Sequence, residues 1–302
     1  MQLSSSGVFH TAARSYHPEA LILELEQHAH QLRLDCLGMI YRRQAGHPGG
    51  SLSAAEILAT LFFHELRLDP ARPDWPARDR FILSKGHASA ILYAALARRG
   101  FFPLGDLERW GELTCHLQGH PDRLKTPGVE MTTGVLGHGI AVGVGLALAG
   151  RIGSSRAQAP YRVYVLLGDG ELQGGVVWEG AMAAAKFRLA ELVAIVDQND
   201  VQLDGPVHEI MPLEPLAEKW RAFNWAALEV NGHDVHQLLE AFDAARQIHD
   251  RPTVIIAHTT KGKGVSFMEN DSRWHGVPPN EEQYRRAVAE LMAASPVQME
   301  EA

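Results

Sequence analysis

The sequence predicts an α/β protein built on a doubly wound, mostly parallel sheet with helices on both faces. Two long apolar runs, residues 163–168 and 192–199, lack the polar and apolar alternation of a half-exposed strand, which is typical of parallel strands buried on both faces. Segments with helical periodicity lie between such runs. Asp169 and Asn199 are about 30 residues apart, the length of one strand-helix-strand unit with a right-handed crossover.

The predicted elements begin with a long helix. Apolar residues at steps of three, four and seven predict it over residues 18–43. A glycine-rich turn at residues 45–51 follows, and Ser53 is predicted to cap a second helix over residues 54–63. A flexible loop is predicted at residues 260–264. The same patterns predict strands at residues 80–84, 163–168, 192–199, 226–230 and 252–259, and helices at residues 90–98, 140–149, 215–223, 235–248 and 281–292.

Composition limits the class of protein. The 302 residues are 46% hydrophobic, enough for a large core, and we expect a flexible, serine-rich N-terminal arm at residues 1–17 and a single domain over residues 18–302. A net charge of −8 disfavours binding to nucleic acid or to an anionic membrane, because phosphate surfaces attract clustered Lys and Arg. With Cys36 and Cys115 as its only cysteines, no leader pattern and no apolar stretch that spans a bilayer, the sequence predicts a cytoplasmic protein.

Polar side chains follow the two apolar runs at the points where they end. Asp169 lies between Gly168 and Gly170, and Asn199 ends the next run. Because the carboxyl ends of parallel strands meet at one edge of a sheet, we expect both side chains there, beside free N–H groups of the intervening helix. Such oxygen ligands suit Mg²⁺ or Ca²⁺ carrying a diphosphate. The alternative is an ordinary glycine turn, but the strand-helix-strand spacing favours the site.

Several of the 16 histidines lie in glycine-containing turns. His47, His87 and His120 each follow a glycine directly. In a doubly wound sheet these turns can open on the same side as Asp169. Backbone groups can also satisfy a histidine in a turn, so it is the joint occurrence of these residues that favours a site.

Seven short motifs follow one another over about 230 residues. They are Gly46-His47-Pro48-Gly49, Ser84-Lys85-Gly86-His87-Ala88, Gly119-His120-Pro121, Thr132-Thr133-Gly134-Val135-Leu136-Gly137, Gly168-Asp169-Gly170-Glu171-Leu172, Asn199 and Trp274-His275-Gly276. In this order they resemble the N-terminal, diphosphate-binding half of a transketolase. Seven ordered matches are far more specific than any single motif. The resemblance implies the thiamine diphosphate-binding fold.

The resemblance implies that thiamine diphosphate binds through its diphosphate and Mg²⁺, or Ca²⁺ or Mn²⁺ in its place. Asp169, Asn199 and the backbone carbonyl of Val201 match the metal's protein ligands. Gly134 and Leu136 match residues beside the aminopyrimidine and thiazolium rings. The full set of implied cofactor-binding residues is His87, Gly134, Leu136, Gly168, Asp169, Gly170, Glu171, Asn199 and His275.

Four histidines match catalytic positions of the family. His87 and His275 match histidines near the diphosphate, with His275 also facing the substrate, and His47 and His120 match those that contact ketose hydroxyls. Transketolases transfer a two-carbon ketol unit from a ketose phosphate to an aldose phosphate. Each step moves a proton between oxygens near neutral pH, and imidazole has the unperturbed pKa closest to that range.

The resemblance also implies a partner. The family's pyrimidine-binding and C-terminal domains have no counterpart in these 302 residues, so we expect a separate C-terminal subunit carrying the pyrimidine-binding domain, an α2β2 assembly, and no activity from this chain alone. Glu179 matches a glutamate near the family's dimer interface. Gly174 replaces a glutamate of the carboxylate network that links the two active sites. Alternatively, Gly174 and Gly175 let the backbone approach the diphosphate.

Other thiamine enzymes are alternatives. The alpha subunits of 2-oxo acid dehydrogenases also carry Gly-Asp-Gly and a downstream asparagine, and deoxyxylulose phosphate synthases share the fold. Neither accounts as well for the turns at His47 and His275, since decarboxylation of a 2-oxo acid needs no base for a C3 hydroxyl. A noncatalytic paralogue is a third alternative, which the metal pair and the site histidines disfavour. The sequence does not reveal the ketose donor or the aldose acceptor.

Overall fold

Five parallel strands form one sheet in the part of the chain that the computed structural model describes, residues 17–153 and 161–296. The strands are β1 Arg80–Leu83, β2 Val163–Gly168, β3 Leu192–Gln198, β4 Ala226–Asn231 and β5 Thr253–His258. They lie in the order β1, β2, β3, β5, β4, and each neighbouring pair is parallel. Each overlaps the run that predicted it, so the parallel sheet is confirmed. All but the last residue of the predicted N-terminal arm lie outside the described residues.

Helices precede and separate these strands. Within the described residues no helix is long and apolar enough to cross a membrane. The last turn of the third helix continues as a π-helical segment, Leu61–Glu65. The α-helices are α1 Glu19–Arg43, α2 Pro48–Leu52, α3 Ala55–Thr60, α4 Ser89–Arg99, α5 His138–Gly153, α6 Gly175–Lys186, α7 Val207–Ile210, α8 Leu216–Ala222, α9 Val235–Gln247 and α10 Glu281–Ala293.

Alternate strand residues face two separate cores, so helices cover both faces of the sheet. Leu166 of β2 and Ile195 of β3 pack in a core with α1, α3, α4 and α9. Val165 and Val196, on the same strands, pack in the other core with α5, α6 and α8. Because both faces are covered, these strands are apolar without alternation, which is the pattern that predicted them.

A smaller third cluster joins the C-terminal helix to the start of the chain. Leu37 of α1, Leu291 of α10 and Trp274 are buried together there. Trp274 also lies close to α2, because a Cβ atom added to Gly49 would come within 2.9 Å of the Trp274 carbonyl oxygen. This packing brings the turn that contains His275 back onto the first two helices.

The prediction that Ser53 caps the second helix is wrong. The helix α2 already begins at Pro48, within the predicted glycine-rich turn, and α3 begins at Ala55 with no side-chain cap. The Ser53 hydroxyl instead donates to Oδ2 of Asp197 at 2.7 Å. A capping hydroxyl would accept a backbone N–H, whereas this one donates to a buried carboxylate, and the contact holds the α2–α3 segment against the end of β3.

The predicted flexible loop at residues 260–264 is a packed segment. Lys261 within it is only 2% exposed. The N–H of Gly262 donates to the carbonyl of Gly49 at 3.0 Å, and the carbonyl of Lys261 accepts from the N–H of Asn270 at 2.9 Å. Glycine and lysine content predicted a solvated loop, but these contacts with residues distant in the chain fix the segment at the edge of the sheet.

Candidate active site

A cavity of about 320 Å³ opens at the carboxyl ends of β2 and β3, at the edge where the sequence predicts a site. Of the predicted site residues, His47, His120 and Gly134 are not among those that line it. The lining residues are Gly50, Lys85, His87, Leu136, Gly168, Asp169, Gly170, Glu171, Gln173, Asn199, Val201, Gln202, Leu203, Lys261 and His275.

Asp169 and Asn199 follow β2 and β3 and meet at this cavity. The Oδ2 atom of Asp169 accepts the N–H of Asp200 at 2.6 Å, which ties the two strand ends together. The Nδ2 atom of Asn199 donates to Oδ2 of Asp197 at 3.0 Å. The amide oxygen of Asn199 accepts the N–H of Val201 at 3.3 Å, and its second lone pair can bind a further donor or an ion. The carboxylate of Asp169 and the amide oxygen of Asn199 therefore lie at the same cavity, as predicted from their positions at the ends of two neighbouring parallel strands.

The surroundings of Asp169 favour a bound cation. Burial, and then the negative charge of Asp197, raise the pKa of the Asp169 carboxyl to about 7. A divalent ion beside it would favour the ionised carboxylate and offset both effects. The described residues hold no cluster of three or more His, Cys, Asp or Glu side chains suited to a metal, so an ion here would also need the oxygens of Asn199 and Val201. This all-oxygen donor set fits Mg²⁺.

Lys261 contributes a positive charge that the sequence reasoning missed. Its Nζ atom donates to the carbonyl oxygen of Val201 at 2.7 Å and lies 2.8 Å from Nδ1 of His275. Burial lowers the pKa of Lys261 to about 8. The described residues give this ammonium no salt bridge to a carboxylate within 4.0 Å. An anion such as a diphosphate therefore finds an ammonium in this cavity that is not already neutralised.

A buried ion pair underlies the site and was also missed. The Nζ atom of Lys85 lies 2.5 Å from Oδ2 of Asp197, and both side chains are at most 2% exposed. Asp197 also accepts hydrogen bonds from the hydroxyls of Ser53 and Thr259. Burial by itself would raise the pKa of Asp197, but the charge of Lys85 and the hydrogen bonds from Lys85, Thr259 and Ser53 together outweigh it and lower that pKa. Asp197 thus joins α2, β1 and β5 beneath the cavity and orients Asn199.

His47, His87 and His275 form a cluster beside the cavity. Their ring centroids are 5.0 Å apart for His47 and His87, 5.5 Å for His47 and His275, and 5.1 Å for His87 and His275. Burial lowers the pKa of all three imidazoles, and it lowers that of His275, next to Lys261, to about 3. At neutral pH these rings are uncharged and can accept protons.

His120 and Gly134 lie together at the rim of the site. A Cβ atom added to Gly134 would be 3.5 Å from Cδ2 of His120. The N–H of Thr133 donates to the carbonyl of Pro121 at 3.2 Å, which joins the two turns. Both His120 and Gly134 are exposed, and His120 is near enough to His47 that a charge on it would add to the burial that lowers the pKa of His47. His120 is therefore near the histidine cluster but outside the cavity.

Glu171 binds backbone groups around the cavity. Its Oε1 atom accepts the N–H of Gly137 at 2.6 Å and the Ser84 hydroxyl, and its Oε2 atom accepts the N–H of Gly168 at 3.0 Å. With both oxygens occupied, Glu171 holds the loop that carries Leu136 against the end of β2. Leu136, 46% exposed, is left as an apolar surface at the cavity mouth.

The family of this chain follows from a comparison with known proteins. Residues 25–296 match the family model described as transketolase, thiamine diphosphate binding domain. The chain belongs to the transketolase family. The transketolase resemblance of the seven motifs is confirmed, and the thiamine diphosphate-binding fold with it.

Similar transketolases include short and long chains. The chain is 41% identical over 269 residues to one of the subunits of apulose-4-phosphate transketolase from Phocaeicola vulgatus, and the match covers 89% of this chain and 93% of that relative. It is 42% identical to the SqwG subunit of 6-deoxy-6-sulfo-D-fructose transketolase from a Clostridium species, over 89% and 96% of the two chains. The structure of transketolase from Leishmania mexicana superposes with a TM-score of 0.85 at 32% identity, covering 91% of this chain and 42% of that one. The chain thus spans about four tenths of that solved transketolase.

The sequence resemblance to transketolases implies a glutamate at position 174, where this chain has glycine. The backbone conformation at this position does not require glycine. Its φ of −76° and ψ of 130° are open to any residue. A Cβ atom there would meet the carbonyl oxygen of Glu171 at 3.3 Å, and one at Gly175 would meet nothing within 4 Å. Neither glycine lines the cavity, so the structure gives no support to the idea that they let the backbone approach a diphosphate.

Proposed function

We propose that this chain is the N-terminal subunit of a split transketolase. With a partner subunit that carries the pyrimidine-binding domain, in an α2β2 assembly, it would transfer a two-carbon ketol unit from a ketose phosphate to an aldose phosphate. The observation that carries the proposal is the meeting of Asp169, Asn199 and uncharged histidines around one cavity. The similar subunits from Phocaeicola and Clostridium, matched over more than nine tenths of their own length, support the split arrangement.

The proposal assigns the cavity to thiamine diphosphate and a divalent ion. Asp169, Asn199 and the carbonyl of Val201 would hold Mg²⁺, or Ca²⁺ or Mn²⁺ in its place. Lys261 would contact the diphosphate. His87 and His275 would lie near it, while Gly134 and Leu136 would lie beside the rings.

In the proposed reaction the cofactor supplies the nucleophile, and the histidines of this chain contact the substrate hydroxyls. When bound, thiamine diphosphate supplies the nucleophilic carbon that attacks the ketose carbonyl. The imidazoles of His47 and His120 would accept protons from ketose hydroxyls, and that of His275 would orient the substrate beside the cofactor. Burial keeps His47 and His275 uncharged at neutral pH, so each ring can accept a hydrogen bond from a substrate hydroxyl.

The domain and its location belong to the same proposal. Residues 18–302 would form a single domain. The described part of the chain has its cysteines, Cys36 and Cys115, buried as free thiols, which agrees with a reducing cytoplasm.

Partner dependence is the direct test. The purified chain, with thiamine diphosphate and Mg²⁺, should show no ketol transfer, and adding the subunit with the pyrimidine-binding domain should restore it. The assay uses several ketose phosphate donors with an aldose phosphate acceptor, and a 2-oxo acid as a control substrate. Robust turnover by the chain alone would contradict the split arrangement. Turnover of the 2-oxo acid, with no ketol transfer by the complex, would contradict the transketolase assignment.

A further inference from the structure

A turn between β4 and α9 lies directly against the segment that carries Lys261. The N–H of Gly232 in this turn donates to the carbonyl of His258 at 2.8 Å. A Cβ atom at Gly232 would come within 2.5 Å of Cγ2 of Thr259, so only glycine permits this approach. The next residue, His233, is thereby placed beside the first residues after β5.

His233 bridges this segment to a buried carboxylate. Its Nδ1 atom lies 2.9 Å from Oε2 of Glu56, and its Nε2 atom accepts the N–H of Thr260 at 2.8 Å. A backbone N–H can bond only a ring nitrogen that carries a lone pair, so the ring proton is on Nδ1 and is donated to Glu56. The side chain is 13% exposed, and both ring nitrogens are used.

The other end of the bridge is fixed in the core. Arg33 of α1 binds both carboxylate oxygens of Glu56, each at 2.6 Å, and its Nε donates to the carbonyl of Leu52 at 3.2 Å. A bidentate pair of this kind has little freedom to rotate. Glu56 therefore presents its Oε2 atom to His233 from a rigid support made of α1 and α3.

Thr260 is the residue before Lys261, so the bridge acts on the backbone that presents the ammonium. Within the cavity the Nζ atom of Lys261 sits between the Val201 carbonyl and His275. A lysine side chain has several rotatable bonds and would otherwise sample many positions. Fixing its backbone restricts where the ammonium can lie.

We propose that His233 is a positioning residue, which, through Glu56, fixes the backbone at Thr260 and thereby holds the ammonium of Lys261 in the diphosphate-binding cavity. This inference rests on the proposed function for its link to the cofactor. His233 itself does not line the cavity and acts through Lys261.

Two substitutions separate the two hydrogen bonds of His233. In His233→Asn the side-chain amide takes the place of Nδ1 and still donates to Glu56, but it is too short to reach the N–H of Thr260. In His233→Gln the longer side chain places an acceptor near the position of Nε2. His236→Asn is the matched control, since His236 lies on α9 with 40% of its side chain exposed.

The first measurement is hydrogen exchange of the Thr260 and Lys261 amides in the full chain without cofactor. We expect exchange in His233→Asn to be faster by about fivefold or more, the size of one lost hydrogen bond. Exchange in His233→Gln should be faster than in the wild type but slower than in His233→Asn, because the acceptor is kept without its support from Glu56, and exchange in His236→Asn should stay near that of the wild type. Equal exchange in wild type and His233→Asn would overturn the proposal, as would equal acceleration by Asn and Gln.

The second measurement is the dissociation constant of thiamine diphosphate, with Mg²⁺, in the complex with the partner subunit. We expect about fivefold weaker binding for His233→Asn, little change in kcat at saturating cofactor, and partial recovery of affinity in His233→Gln. Faster exchange with unchanged affinity would overturn the link to the cofactor. Wild-type protein that binds no thiamine diphosphate would contradict the proposed function, while the exchange data would still decide whether His233 fixes Thr260.

Discussion

The Nζ atom of Lys261 lies 2.8 Å from Nδ1 of His275, inside a cavity that both residues line. This contact joins the segment after β5 to the turn after Trp274. The two residues lie 14 positions apart in the chain, and no predicted helix or strand contains both. Burial together with the charge of Lys261 lowers the pKa of His275 to about 3. The charge of Lys261 therefore adds to burial in keeping uncharged a histidine that we place beside the substrate.

Replacing Lys261 should raise the pKa of His275. In Lys261→Met the ring keeps its burial but loses the nearest positive charge, so its pKa should move up toward the ordinary value near 6.5. Nitrogen-detected NMR titration of the cofactor-free chain, with the His275 signal identified by its loss in His275→Asn, measures this. Lys263→Met is the control, because Lys263 is on the same segment with 40% of its side chain exposed. An unchanged His275 titration in Lys261→Met would contradict the electrostatic account.

Breaking the Lys85–Asp197 pair should be costly. Asp197→Asn leaves the ammonium of Lys85 buried without its carboxylate, which typically costs about 3–5 kcal/mol. The free energy of unfolding from urea titration measures the loss. Adding Lys85→Met to the variant removes the stranded charge and should restore part of the stability, whereas the exposed Asp250→Asn should change little. A loss below about 1 kcal/mol for Asp197→Asn would contradict this role.

Glu56 should make stability fall in acid. Burial by itself would raise the pKa of Glu56, but the charge of Arg33 and the hydrogen bond from His233 outweigh it and lower the pKa to about 2 from an ordinary 4.5. A lowered folded-state pKa stabilises the fold above about pH 4.5, and that contribution, about 3 kcal/mol, is lost as pH falls toward 2.

The matched variant is Glu56→Gln, which has no charge to lose. Its deficit in unfolding free energy relative to wild type should shrink between about pH 5 and pH 3. Glu281→Gln, at an exposed position of α10 with 65% of the side chain accessible, should show no comparable trend. A deficit for Glu56→Gln that stays constant with pH would contradict the assigned ion pair.

Gly174 and Gly139 should respond differently to alanine. At Gly174 the backbone is ordinary and the nearest contact is 3.3 Å, so Gly174→Ala should change stability by less than about 1 kcal/mol. At Gly139 a Cβ atom would come within 2.3 Å of Oγ of Ser84, and overpacking of this kind costs about 1–3 kcal/mol. Thermal unfolding of the two variants compares them directly. If Gly174→Ala and Gly139→Ala lowered the unfolding temperature by similar amounts, the conclusion that the backbone at position 174 accepts any residue would be contradicted.

The parts of the fold that depend on local patterns could be predicted from the sequence. Buried strands are apolar without alternation, so the runs before Asp169 and Asn199 located both strand ends and the cavity edge. Ser53 carries a local capping signal, but a buried carboxylate more than 100 residues away bonds its hydroxyl instead. Lys261 was predicted to lie in a flexible loop. The prediction failed because the burial of Lys261 depends on contacts with distant segments, such as that of Val201, which local sequence patterns do not show. Asp197 was missed for the same reason.

The proposed function depends most on Asp169, which is expected to anchor a divalent ion and, through it, thiamine diphosphate. Equilibrium binding of thiamine diphosphate to the two-subunit complex, titrated with Mg²⁺ and with a chelator, tests this role. Asp200→Asn is the control, since Asp200 is an exposed neighbouring carboxylate with φ of 60°, which asparagine also adopts.

We predict that binding requires the divalent ion, that Asp169→Asn weakens it by more than about tenfold, and that Asp200→Asn binds as the wild type does. Binding that persists in the chelator, or equal affinity in wild type and Asp169→Asn, would contradict the role of Asp169 as the anchor.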